Sequence, residues 1–247
     1  MTSHAKEPLL DFWQLSSEEW SAVWLSLRVA CVATLATLPV AVALGYGLAR
    51  RQFWGKSLLE TVLNLPLVLP PVVVGYLLLV EFGRNGWLGS RLVDWFGIRF
   101  VFDWKGAVAA SAVMAFPLVV RSIRVAMATI DPRLEEAART LGCGRFETFL
   151  RITVPLARRG IIAGAVLGFA RSIGEFGATI MIAGSIPGQT QTIPLKIYSL
   201  LNSPGGAARA SRLVVVSVLI AVVALAASEW FERRGRFGVA IAGRATP

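Results

Sequence analysis

Charged residues are scarce in this chain. Asp, Glu, Lys and Arg make up 16% of its 247 residues, against about 25% in soluble domains. Histidine is almost missing, with His4 the only one. That excludes a histidine-based metal site within one chain and a His-Glu-x-x-His protease. Intramembrane proteolysis would need a Ser–His or Asp pair, and no Asp lies inside an apolar run. No catalytic residue is therefore expected, nor any enzymatic activity of this chain's own. The two cysteines make no disulfide framework, because Cys31 lies in an apolar run and Cys143 in a polar one. Internal repeats and low-complexity segments are also missing.

Apolar sequence is abundant. Hydrophobic residues are 55% of the chain and the mean hydropathy is +0.63. Several stretches reach about twenty apolar residues, the length that crosses a bilayer. The expected fold is an all-α polytopic membrane protein of one domain with the lipid bilayer as its solvent. Five spans are expected, at about 23–49, 58–82, 106–128, 160–183 and 213–231. They leave a polar or interfacial N-terminal segment 1–22, a transmembrane domain 23–231 and a basic tail 232–247. Leu9, Leu10, Phe12, Trp13 and Leu15 form a candidate interfacial patch. A signal peptide is not expected, because the tail carries acids and the apolar run after it is too long.

The net charge of +10 raises nucleic acid as a partner. The basic runs, however, are short and sit at span ends, so nucleic-acid binding is not expected. Positive charge collects in cytoplasmic loops of membrane proteins. Lys and Arg number three in 50–56, eight in 121–159 and four in 233–244, fifteen in all. The opposite side carries eight, at residue 6, in 84–105 and in 196–212. The N-terminus is therefore expected outside, and the loop 129–158 and the C-terminus in the cytoplasm.

Pro66, Pro70 and Pro71 break the second span, since each removes a backbone donor. In lipid the freed carbonyls must face protein or water, which turns this span toward the bundle interior. The segment 83–105, with Trp87, Trp95 and Trp104, is expected to hug the membrane, and 184–212 to be loop. Gly160, Gly164, Gly168 and Ser172 form a small-residue stripe for close helix packing. Arg121 and Arg124 can snorkel from the third span, and Arg28 either snorkels or draws anions to the outer mouth.

The longest polar interval is Glu135–Pro155, EEAARTLGCGRFETFLRITVP. Asp131-Pro132 supplies an N-cap and a first-turn proline ahead of it. Glu135 and Glu136 lie at the positive end of the helix that follows. Gly142 can end that helix in a left-handed conformation. A second short helix is expected over 145–152, with Phe146, Phe149 and Leu150 on one face and Pro155 as its stop. That apolar face either folds back on the bundle or docks a soluble partner.

Glu136-Ala137-Ala138, three residues, Gly142, nine residues, Ile152, one residue and Val154-Pro155 resemble the EAA motif of ABC-transporter permeases. Leu is usual where Val154 stands. The resemblance implies a type I ABC importer-like permease fold in a bacterial inner membrane. It also implies that this loop, with Glu135, Arg145 and Phe149, is the coupling element seated in a cytosolic ATPase. The same resemblance covers the run from Leu65 to Tyr76 with its Pro-Pro-Val-Val-Val-Gly, and Gly83 to Gly89. It extends to Phe169 to Thr179 and Gln191-Thr192-Ile193-Pro194. There the chain looks like the molybdate permeases, with sulfate/thiosulfate permeases the nearest relatives and tungstate inseparable. A homodimer, two cytosolic ATPases and a periplasmic molybdate-binding protein follow from that family. No cofactor is expected on this chain, and ATP and Mg belong to the partner. Gly55-Lys56-Ser57 looks like the end of a P-loop, but Arg50 stands where that pattern needs glycine.

Arg171 and Glu175 are intramembrane charges four residues apart, on one helix face. They form either a structural ion pair or, with Ser172, Thr179 and the three span-breaking prolines, the lining of an anion path. The competing function is an ATP-independent carrier or channel, which would have no need of an EAA loop.

Overall fold

The computed structural model describes residues 15–234, and the described residues are helices and connections without a strand. His4, Lys6, Leu9, Leu10, Phe12, Trp13, Arg236 and Arg244, singled out in the sequence, lie outside the described residues.

The first helix, α1 (Ser17–Arg50), is opened by a capping box. Ser16 Oγ accepts from Glu19 N, and Glu19 Oε2 accepts from Ser16 N at 2.7 Å. After the Arg51–Gly55 turn come α2 (Lys56–Val68) and α3 (Pro71–Phe82), bent by 110° at Leu69-Pro70. The break expected from the prolines is therefore present, as a sharp bend between two helices. Pro71 sits in the first turn of α3, where its missing N–H costs nothing. A short helix, α4 (Trp87–Phe96), occupies the segment read as a loop. It is followed by α5 (Trp104–Ala128), capped by Asp103 Oδ1 on Lys105 N.

The polar interval holds α6 (Pro132–Thr140) and α7 (Arg145–Thr148). Then comes a π turn (Phe149–Thr153) and α8 (Val154–Ile173). Contrary to the expectation from the sequence, Pro155 does not stop a helix. It falls in the first turn of α8, so 145–173 runs on as one rod. The fourth span ends at Ile173 rather than Ala183. Beyond it lies a short α9 (Gly177–Ala183), and α10 (Ile193–Leu201) occupies part of the expected 184–212 loop. The last helix, α11 (Ala207–Arg234), starts ahead of the expected Leu213.

Among the described residues four helical rods are long and apolar enough to cross a membrane, and the bent α2–α3 pair makes up to five. Their core is α1 and α8 packed on α5. The small-residue stripe makes this contact possible. Gly160 lies against Ala126, Gly164 against Ile123 and Ser122, and Gly168 against Val119. A second cluster joins Val29, Val74, Met114 and Ile182, which seats α3 and α9 against α5.

The two ends of the bundle are fixed by ionic contacts. At one end Glu19, fully buried, lies 3.2 Å from Arg209 Nε and 3.7 Å from Arg212. Beside it Lys196 Nζ lies 2.6 Å from Glu18. These tie the start of α1 to α10 and the start of α11. At the other end Arg50, closing α1, donates 2.9 Å to the carbonyl of Ile130. Arg28 stacks over Trp104, 3.8 Å from the ring centroid, which accounts for its place without an anion at the outer mouth.

Candidate functional site

The polar interval is folded around Glu135. Its residue is 4% exposed, and its carboxylate takes three donors. Arg50 Nε donates at 3.1 Å, Thr153 Oγ1 at 3.0 Å and the Tyr46 hydroxyl at 3.2 Å. Arg139, one turn on, adds a second guanidinium at 3.7 Å. These charge-assisted contacts hold α6 against the end of α1. Glu136, the next residue, points to solvent. Adjacent positions on a helix differ by about 100°, so one acid anchors the loop and the other faces out.

Gly142 has φ +94, the left-handed turn expected of it, and open space surrounds the position a side-chain carbon would take there. Its N–H donates to the Arg139 carbonyl and that of Cys143 to Ala138. The apolar face of 145–152 divides. Phe149 turns inward onto Tyr46, with ring centroids 4.9 Å apart. Phe146 is 74% exposed and Leu150 47%, and Leu141 in the preceding turn is 85% exposed. Folding back thus covers only part of it. Between α1, α6 and α7 lies a groove of about 680 Å³ that brings together Glu135, Glu136, Arg145 and Phe149. Ala138 is buried beneath, Ala137 and Pro155 are exposed, and Ile152 is half-buried outside the groove.

The second candidate cluster lies where α8 ends. Arg171 Nη1 is 2.7 Å from Glu175 Oε2, and Glu175 is 2% exposed on its side chain against 29% for Arg171. Glu175 does a second task that its sequence position concealed. Its Oε1 accepts from the Ala178 N–H at 2.9 Å, capping α9. The hydroxyls of Ser172 and Thr179 are buried and have no partner. Pro71 joins this region, since Gly177 abuts its ring and Gly75 abuts Ala178. Pro66 and Pro70 lie farther back along the bend, in α2 and at the cap of α3.

A family described as binding-protein-dependent transport system inner membrane component matches residues 41–237. The chain belongs to that family. Among curated relatives, this inner membrane component is 55% identical to the molybdenum transport system permease protein ModB of Escherichia coli K12. That match takes in 222 residues, 90% of this chain and 97% of the relative. It is 36% identical to the sulfate transport system permease protein CysW of a Synechocystis strain, over 85% of this chain and 76% of that one. Its fold matches a bacterial alginate ABC transporter, solved with an alginate pentasaccharide-bound periplasmic protein. There the TM-score is 0.72 at 18% identity, covering 93% of this chain and 83% of the other.

Several interactions of this membrane component escaped the sequence. Ser16-x-x-Glu19 has the spacing of a capping box, so its signal lies in the chain itself. The Ser26 hydroxyl, which accepts from Ile193 N at 2.7 Å across the bundle, carried no signal. Nor did the pairing of Glu60 with Arg124 at 3.0 Å, since the two stand on different helices. Among the described residues no group of three His, Cys, Asp or Glu is placed to hold a metal.

Proposed function

We propose that this chain is the membrane-spanning subunit of an ATP-driven molybdate importer. The reading rests above all on its identity to molybdenum transport permeases over nearly their whole length. The exposed Glu136, Phe146 and Leu150, beside a loop anchored by Glu135, support a docking surface for a cytosolic ATPase. Two copies of the chain would enclose the pathway, with two ATPases below and a periplasmic molybdate-binding protein above. In this arrangement Glu135, Glu136, Ala137, Ala138, Gly142, Arg145, Phe149, Ile152 and Pro155 form the coupling element. Pro66, Pro70, Pro71, Arg171, Ser172, Glu175 and Thr179 line the path. The segment 1–22 and the start of α1 face the periplasm; the spans lie within 23–231, and the loop 129–158 and the tail 232–247 face the cytoplasm.

Arg171 neutralised in part by Glu175 suits a path, because an anion held strongly would not leave. Sulfate is the second reading, supported by the identity to sulfate permeases. Reconstitution tests both. Proteoliposomes holding this chain, its ATPase and its binding protein should accumulate molybdate only with ATP. Uptake by this chain alone would make it a channel or carrier, and uptake of sulfate but not molybdate would reassign the substrate.

A further inference from the structure

A cavity of about 230 Å³ opens between α2 and α5, toward the end of the bundle that carries the coupling loop. Its floor is apolar, with Leu48 and Val120 buried. Its walls are polar. Glu60 and Asn64 come from α2, Arg121 and Arg124 from α5. Arg124 Nη1 lies 3.0 Å from Glu60 Oε1. Arg121 makes no ion pair with any described residue. Two arginines and one glutamate thus line the cavity, which has an excess of one positive charge. Snorkelling explains why arginines can stand near a span end, but not why a carboxylate and an amide line the wall opposite.

The volume corresponds to about eight water volumes, room for a four-oxygen anion with part of its hydration shell. A guanidinium fork matches the edge of a tetrahedral oxyanion. The Arg124 and Glu60 side chains are 37% and 30% exposed. An ion pair that wet is held weakly, so an arriving dianion can open it.

We propose that this cavity is an oxyanion station on the coupling-loop side of the pathway, where Arg121 takes the anion and Glu60 competes with it for Arg124. This proposal rests on the oxyanion-importer reading. Glu60 then works as a built-in release group, because once the anion shifts, the carboxylate recloses on Arg124 and lowers the affinity behind it. A phosphate headgroup has the same chemistry as the transported anion, so the test separates them.

The complex of this chain with its ATPase, without binding protein, is placed in phosphatidylcholine nanodiscs and titrated with radiolabelled molybdate, with sulfate as competitor. The wild type should bind, and Arg121→Gln should bind about tenfold or more weakly through loss of a charge-assisted hydrogen bond. Glu60→Gln should bind several-fold more tightly and slow uptake in the full reconstituted system. Phosphatidylglycerol discs should leave the affinity within about twofold. Wild-type discs that bind neither anion, or Arg121→Gln binding as the wild type does, would overturn the station. Loss of molybdate binding in phosphatidylglycerol discs would overturn it in favour of a lipid phosphate. Uptake is scored separately. A working importer with unaltered Arg121→Gln binding removes only this site. Uptake of sulfate alone removes the molybdate assignment, while Arg121-dependent sulfate binding would keep the station.

Discussion

The double role of Glu175 sets apart two substitutions that would otherwise look alike. Its carboxylate neutralises Arg171 at 2.7 Å and also accepts the Ala178 N–H at 2.9 Å. Ala178 is fully buried, so that N–H has no water to turn to. Arg171→Met alone leaves an almost fully buried carboxylate without its counter-ion, a loss of about 3–5 kcal/mol. Adding Glu175→Gln removes the charge and keeps an amide oxygen for Ala178, so stability should return to within about 1 kcal/mol of wild type. Adding Glu175→Leu instead removes the charge and the acceptor together. The orphaned N–H then costs about 1–3 kcal/mol. Thermal unfolding of the detergent-solubilised protein, followed by size exclusion, should rank wild type and the Met/Gln pair above Met/Leu, and Met/Leu above Arg171→Met alone. Equal stability of Met/Gln and Met/Leu would refute the capping account. Uptake by the Met/Gln variant then addresses the path. A stable, ATPase-bound variant with low molybdate uptake assigns the pair to translocation, whereas full uptake leaves it as architecture.

The remaining expectations concern the loop, the bend and the orientation. Gly142→Val forces a β-branched residue to φ +94 and should cost at least about 1 kcal/mol locally, releasing the ATPase while the chain still inserts. Copurification with the ATPase at wild-type yield would count against that. Glu136→Lys reverses the charge on the exposed face of α6 and should lower binding-protein-stimulated ATP hydrolysis. Unchanged coupling would remove Glu136 from the docking surface. Gly75→Val would bring a side-chain carbon to 2.6 Å from the Ala178 carbonyl oxygen and should lower the yield of folded protein. Normal yield would mean that α3 and α9 do not pack this closely. In a background lacking Cys31 and Cys143, a cysteine at Leu141, which is 85% exposed, should resist an impermeant reagent added to intact cells. Labelling from outside would invert the orientation.

Much of this architecture was legible because the membrane writes it in long signals. The runs that became α1, α5, α8 and α11 are too apolar to be anything but spans. Pro70-Pro71 dictated the break between α2 and α3, and Gly142 dictated the turn in the loop. Short elements were harder. The helices α9 and α10 have seven and nine residues. They stand beside Gly184, Pro187 and Pro194, residues that also punctuate loops. Pro155 misled because the residue that ends one helix is equally suited to the first turn of the next. At the candidate sites, motif spacing singled out Glu136 and Gly142. The burial of Glu135 depends on Arg50 and Tyr46, more than eighty residues earlier in the chain. The partnership of Glu60 with Arg124 depends on the bend that lays α2 beside α5. Neither could be read along the chain.

The continuity of 145–173 has a mechanical consequence. The π turn widens the rod at Phe149–Thr153 without interrupting it. At about 1.5 Å per residue, its 29 residues reach about 43 Å. A tilt of about 5° imposed at Arg145 would sweep the far end through about 4 Å, on the order of an oxygen's diameter. That far end is Ile173, between Arg171 and Glu175. If a partner docks on Phe146 and Leu150, they become the handle of a lever whose tip carries the Arg171–Glu175 pair, and a small rotation at Arg145 would suffice to move it.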